Sequence, residues 1–167
     1  MRFEIWTDIP ESWIHSIDGK ISRKILETSE QETYVASRLW PNTLQEDVKQ
    51  GFGVSGDKYI PDVGKVEIKH DWRSFETGNA FFEVWNSHQN KPSGLSAAVQ
   101  QRVAEWVHVV FDKRYRAHIF VDNPYHLMKW VENKENHVRF LSKCGDNNSD
   151  GYLVKVDRLM ERFRVQG

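Results

Sequence analysis

Trp106-Val107-His108-Val109-Val110-Phe111 is apolar at every position except His108. A run this short and this apolar reads as a strand buried on both faces, with His108 as a hydrogen-bonded core residue. Ala117–Val121 reads as another strand, and Asn123-Pro124 opens a helix through about Val131, with Pro124 in the first turn. Upstream, Asp57–Ile60 and Lys65–Lys69 read as two strands joined through the turn formers Pro61-Asp62-Val63-Gly64, and Ala80–Trp85 as a third. Lys91–Gly94 is a loop, followed by a helix from Ser96, its cap, to about Ala104.

The ends are less regular. Ile5, Trp6, Ile9, Trp13, Ile14 and Ile17 are apolar without a clean period. Ser29–Glu32 opens a helix running toward Trp40, where Pro41 stops it. Thr43 and Glu46 have the spacing of a capping box, which predicts a short helix broken by Gly51 and Gly53. Val138–Leu141 and Tyr152–Val156 form a final hairpin around the polar loop Cys144–Gly151. The order predicts an α/β fold, a mixed central sheet flanked by helices. Residues 1–42 are expected as an N-terminal extension on or near the core, and residues 43–167 as the main domain.

Composition removes several function classes. The 23 Lys and Arg against 24 Asp and Glu leave a net charge of −1, which excludes a strongly basic coat but not a local basic groove. The single Cys144 excludes an intramolecular disulfide framework and a Cys-rich zinc site. His15, His70, His88, His108, His118, His126 and His137 form no H-x₃-H or HExxH pattern, so structural zinc is not expected. No apolar run approaches the ~20 residues of a membrane span. The opening MRFEIWTDIPESW has acids where a signal peptide needs a basic start and an apolar stretch. A soluble, cytoplasmic protein is expected, with no membrane contact and no small-molecule organic cofactor.

The chemistry concentrates between Asp57 and Lys69. In a hairpin with rungs Lys58–Val66, Tyr59–Lys65 and Ile60–Gly64, Asp57 opposes Glu67, and Asp57, Glu67 and Lys69 share a sheet face. Two carboxylates at that separation call for a cation between them, and hard oxygen ligands suit Mg²⁺, with Mn²⁺ able to substitute. The Ile68 carbonyl adds an oxygen, and Lys69 orients water or offsets phosphate charge. In a competing pairing Asp62 opposes Glu67, which places Pro61 inside a strand. Asp62 otherwise reads as a turn residue and Asp57 as a loop end.

Pro61-Asp62 followed by Glu67-Ile68-Lys69 resembles the signature of the PD-(D/E)XK nuclease superfamily. The following Lys69-His70-Asp71, Thr77-Gly78-Asn79, Phe82-Glu83, Lys91-Pro92-Ser93-Gly94 and Gly151-Tyr152-Leu153-Val154 resemble a phage-type branch of it, over residues 43–157. The resemblance implies a restriction-endonuclease-like core and a metal-dependent DNA endonuclease, located in the host cytoplasm if phage-encoded. It implies Asp57 or Asp62 with Glu67 as metal ligands, Lys69 as the catalytic lysine, and Glu46 as an additional helical acid. Cutting duplex or branched DNA symmetrically would call for a homodimer.

Substrate contacts are expected from Lys91, Ser93 and Gly94, where backbone amides at a helix start bind phosphate. The turn Lys113-Arg114-Tyr115-Arg116 offers charges for phosphates and a ring for a base, or is a solvated turn. Trp72 and Arg73 either flank a DNA strand or cap the core. Asp71 and Glu83 either extend the acidic site or pair with Arg73 or Lys91. Two other functions stay open: a catalytically silent nucleic-acid-binding module, and an interaction subunit docking through Trp6, Trp13 and Trp40.

Overall fold

The computed structural model describes residues 1–19, 29–43, 46–47, 58–144 and 148–165, including every side chain among them except those of 29, 30, 46, 47 and 165. Its centre is the pair formed by Gly64–Asp71 and Glu105–Phe111, which run parallel with Glu67 beside Trp106 and Lys69 beside His108. The second strand of the pair is buried along nearly its whole length, as its apolar run requires.

The described residues hold two sheets. In the larger, β1 (Arg2–Trp6), β2 (Glu46–Asp47), β3 (Lys58–Ile60), β4 (Gly64–Asp71), β7 (Glu105–Phe111) and β8 (Ala117–Asp122) lie in the order β1-β8-β7-β4-β3-β2. All its pairings except β4 with β7 are antiparallel. The smaller sheet is antiparallel, in the order β6-β5-β10-β9, from β5 (Asn79–Asn86), β6 (Lys91–Pro92), β9 (Arg139–Cys144) and β10 (Ser149–Lys155). The helices are α1 (Glu11–Ile17), α2 (Ser29–Leu39), α3 (Ser74–Thr77), α4 (Gly94–Gln100), α5 (Pro124–Glu132) and α6 (Val156–Val165). The architecture is mixed α/β.

Each face of the larger sheet has its own core. On one, Val66, Ile68, Val107, Val109 and Ile119 pack with Trp6 and with Trp13, Val35, Ala36 and Leu39 of the first two helices. On the other, Trp106, Val110 and Phe120 pack with Ala80 and Phe82 of the second sheet and with Leu95, Leu127, Val131, Leu159 and Phe163. Leu127 with Val131 and Leu159 with Phe163 are four residues apart, so each pair lines one helical face. Asn123 caps α5 by accepting from the Tyr125 and His126 amides at 2.9 and 3.2 Å.

Several expectations are corrected. No helix starts at Thr43: Glu46 and Asp47 pair in β2 with Tyr59 and Lys58, so ladder hydrogen bonding prevails over the local capping signal. The helix after the Lys91–Gly94 loop begins at Gly94 and ends at Gln100, with Ser93 rather than Ser96 at the cap position. Lys91 and Pro92 form a short strand against Asn86 and Trp85. No strand is expected at Arg2–Trp6, yet β1 forms one edge of the larger sheet, and Trp6 and Trp13 are buried at 2% and 0% exposure. Trp6 and Trp13 are thereby withdrawn from any docking surface. No described helix is long and apolar enough to cross a membrane.

Candidate active site

The hairpin that carries the candidate residues has the rungs Lys58–Val66, Tyr59–Lys65 and Ile60–Gly64. Its turn closes with the Val63 amide donating to the Ile60 carbonyl at 3.0 Å. Asp62 occupies the left-handed region there at φ 68°, a conformation that Asp tolerates. This register excludes Asp62 from the position opposite Glu67. Asp62 is exposed at the tip, and Glu67 stands three residues along the strand from Gly64, about 10 Å away. Asp57 and the Glu46 side chain lie outside the described residues. The backbone of Glu46 is in a strand, which removes its expected role as a helical acid.

Along β4 the side chains alternate. Val66, Ile68 and His70 are buried toward the first two helices, while half-buried Glu67, exposed Lys69 and buried Asp71 share the opposite face. Three contacts on that face join β4, β5 and α4 into a triangle. At one corner Lys65 donates from Nζ to the Gln101 carbonyl at 2.7 Å, just past the end of α4. At the second, the Phe81 amide at the start of β5 donates to Oδ2 of Asp71 at 2.8 Å. At the third, α4 starts against β5: a Cβ on Gly94, at φ +52°, would lie 2.5 Å from the Glu83 carbonyl oxygen. Only glycine permits this approach. Glu67 and Lys69 occupy the β4 side of the triangle, between the first two corners. Lys91, Ser93 and Gly94 adjoin the third.

The other expected contacts resolve individually. Ser93 Oγ is buried without a protein partner. Glu83 accepts a hydrogen bond from Ser149 Oγ. Trp72 is a core residue at 4% exposure, so it caps the core and flanks no strand of nucleic acid. Arg73, Lys113 and Arg114 are exposed near the far end of β4 and β7, a proximity set by Ser74 Oγ accepting from the Phe111 amide at 2.9 Å. Arg116 donates from Nε to Asp112 at 2.8 Å, and Lys113 lies 4.5 Å over the Phe75 ring. Tyr115 packs on Phe75 and donates to Asp18, so its ring is engaged within the protein.

Asp71 is buried and is not the surface charge that one of its two sequence readings expects. Its Oδ2 is 3.1 Å from Nε2 of His108, whose Nδ1 is 3.1 Å from the Trp106 indole nitrogen. Strand alternation puts Asp71 and Lys69 on one face, but the bond to His108 depends on β4 lying beside β7, a pairing that no local pattern specifies. Behind Lys69, burial and the charge of Lys69 push the His70 imidazole down to about 3, so His70 is neutral across the physiological range.

The metal-binding fit is partial. The described donors at this spot are the Glu67 carboxylate and the Ile68 carbonyl, and no group of three or more His, Cys, Asp or Glu among the described residues is placed to hold a metal ion. A cavity of about 430 Å³ lined by Asp8, Ile9, Pro10, Ser12, Gln31 and Tyr34 lies with the first two helices, on the opposite side of the larger sheet. No family model, curated protein or solved structure matches the chain.

Proposed function

We propose that the chain is a metal-dependent phosphodiester hydrolase that cleaves DNA internally. Its larger sheet is then the core of a restriction-endonuclease-like fold of the PD-(D/E)XK type. The observation that carries this reading is the placement of Glu67 and Lys69 two residues apart on one face of β4, half-buried and exposed, between the contacts to α4 and β5. A strand ladder on both sides of β4 holds this acid and amine in fixed relation, which hydrolysis of a charged diester requires.

Mg²⁺, replaceable by Mn²⁺, would be held by Glu67, the Ile68 carbonyl and Asp57, and when bound would polarise the phosphate and acidify a water. Lys69 brings its ammonium to the attacking water or to the charge that develops on the phosphoryl oxygens. Lys91 and the Gly94 backbone, at the third corner, and Arg73, Lys113 and Arg114, past the end of β4, bind flanking phosphates. The location is cytoplasmic, and a second copy of the chain supplies the second cut where both strands are cleaved. Burial of Trp6 and Trp13 weighs against the interaction-subunit reading.

Incubation with plasmid and end-labelled branched DNA tests the proposal. Cleavage with Mg²⁺ or Mn²⁺ that chelator abolishes is expected. Binding without cleavage under every metal would favour the silent module.

A further inference from the structure

We propose that Trp106, His108 and Asp71 form a positioning relay that holds the Lys69 end of the site against the second sheet. Its purpose rests on the phosphodiesterase reading, whereas its geometry does not. An indole nitrogen only donates, so Trp106 Nε1–H, 3.1 Å from His108 Nδ1, makes that ring nitrogen an acceptor. The ring proton is therefore on Nε2, which donates to Oδ2 of Asp71 at 3.1 Å. The same oxygen accepts from the Phe81 amide at 2.8 Å. His108 is fully buried and the Asp71 side chain is 10% exposed.

A carboxylate so withdrawn from water needs donors. Those of Asp71 come from two different elements, β7 and the first residues of β5. Glu67 and Asp71 are four strand residues apart, about 13 Å, too far to share one ion. Asp71 is thus a positioning residue and not a second metal ligand. It fixes β5, and with it Glu83 and the Gly94 approach, relative to Lys69. His108, beside Lys69 in the ladder, sets the Asp71 rotamer, and Trp106 sets the His108 tautomer.

Two substitutions separate this role from packing. His108→Leu fills the space but cannot donate, whereas the amide nitrogen of His108→Gln still reaches Asp71. In the full-length protein, exchange of the Phe81 amide, referenced to the Val107 and Ile119 amides, should accelerate about tenfold or more in His108→Leu. It should stay within about threefold of wild type in His108→Gln. The reverse order, with Leu tolerated and Gln not, would overturn the relay. The wild-type ring, by nitrogen NMR, should carry its proton on Nε2, and a proton on Nδ1 overturns the relay even where a variant does not fold.

With DNA and Mg²⁺, His108→Leu should lower kcat about tenfold at nearly unchanged KM, with His108→Gln restoring it. If wild type cuts and His108→Leu cuts equally fast, the positioning role fails and the nuclease reading stands. If wild type cuts no DNA, the nuclease reading fails, and amide exchange with the ring tautomer decides the relay.

Discussion

The His70 ring lies on the indole of Trp72, with centroids 5.3 Å apart and planes within 11° of parallel. Trp13 meets both rings edge-on, at 83° and 84°, so the imidazole is enclosed by aromatic surface. In the unfolded chain such a ring takes up a proton near pH ~6.5. In the folded protein burial, with the charge of Lys69, holds protonation off until about 3. The unfolded state therefore binds more protons between these values. Stability contributed by His70 is complete above the upper value and is lost as pH falls toward the lower, by up to about 1.4 kcal/mol per pH unit. Urea unfolding at pH 7.5, 5.5 and 4.5 checks this. His70→Phe, which retains the stacking, should flatten the profile by about one proton, and an unchanged slope would contradict it.

Buried Asp122 and largely buried Arg162 form an ion pair, 2.6 Å apart with side chains 4% and 11% exposed. The bond pins α6 to β8. Removing one partner strands the other charge, so Arg162→Ala should cost about 3–5 kcal/mol. The double variant Asp122→Leu with Arg162→Met should recover most of that loss in denaturant midpoints. Equal losses in both variants would show that the charges themselves are required.

Trp13 is wholly buried and packs edge-on against Tyr34, His70, Trp72 and Phe111. Trp13→Ala should cost about 3–5 kcal/mol. Deleting residues 1–17 removes both this ring and the edge strand β1, and should abolish the cooperative thermal transition. A truncated chain that melts at the wild-type Tm would make this segment an accessory after all.

Gly94 combines a φ of +52° with the close approach to the Glu83 carbonyl. Gly94→Ala should therefore lower stability by about 2 kcal/mol or more, from left-handed strain and the displaced contact together. Thermal denaturation compared with wild type measures it. A neutral effect would mean that the loop relaxes away from β5 without penalty.

The hairpin was legible because its turn chemistry is local: Pro61, Asp62 and Gly64 leave one register in which the proline stays out of the ladder. The strands Asn79–Asn86, Glu105–Phe111 and Ala117–Asp122 were legible from apolar runs and breakers, whereas Lys91–Pro92, with no apolar run of its own, read as loop. β1 was not, because an edge strand with mixed exposure shows no alternation. The helix at Val156–Val165 carries its signal in Leu159 and Phe163, masked by reading the preceding strand through Val156. The Thr43–Glu46 capping signal competed with strand pairing to residues more than ten positions away, and the pairing prevailed. Glu67 and Lys69 were readable as a same-face pair from strand alternation. Their framing by Gln101 and Phe81, and the burial of Asp71 against His108, depend on long-range packing that local patterns do not encode.

The most direct measurement is Mg²⁺-dependent cleavage of end-labelled branched and plasmid DNA by wild type beside Glu67→Ala and Lys69→Ala, each shown by circular dichroism to be folded. Wild type should cut, and each variant should lose at least about a hundredfold in rate. Either variant cutting at the wild-type rate would contradict the site at Glu67 and Lys69.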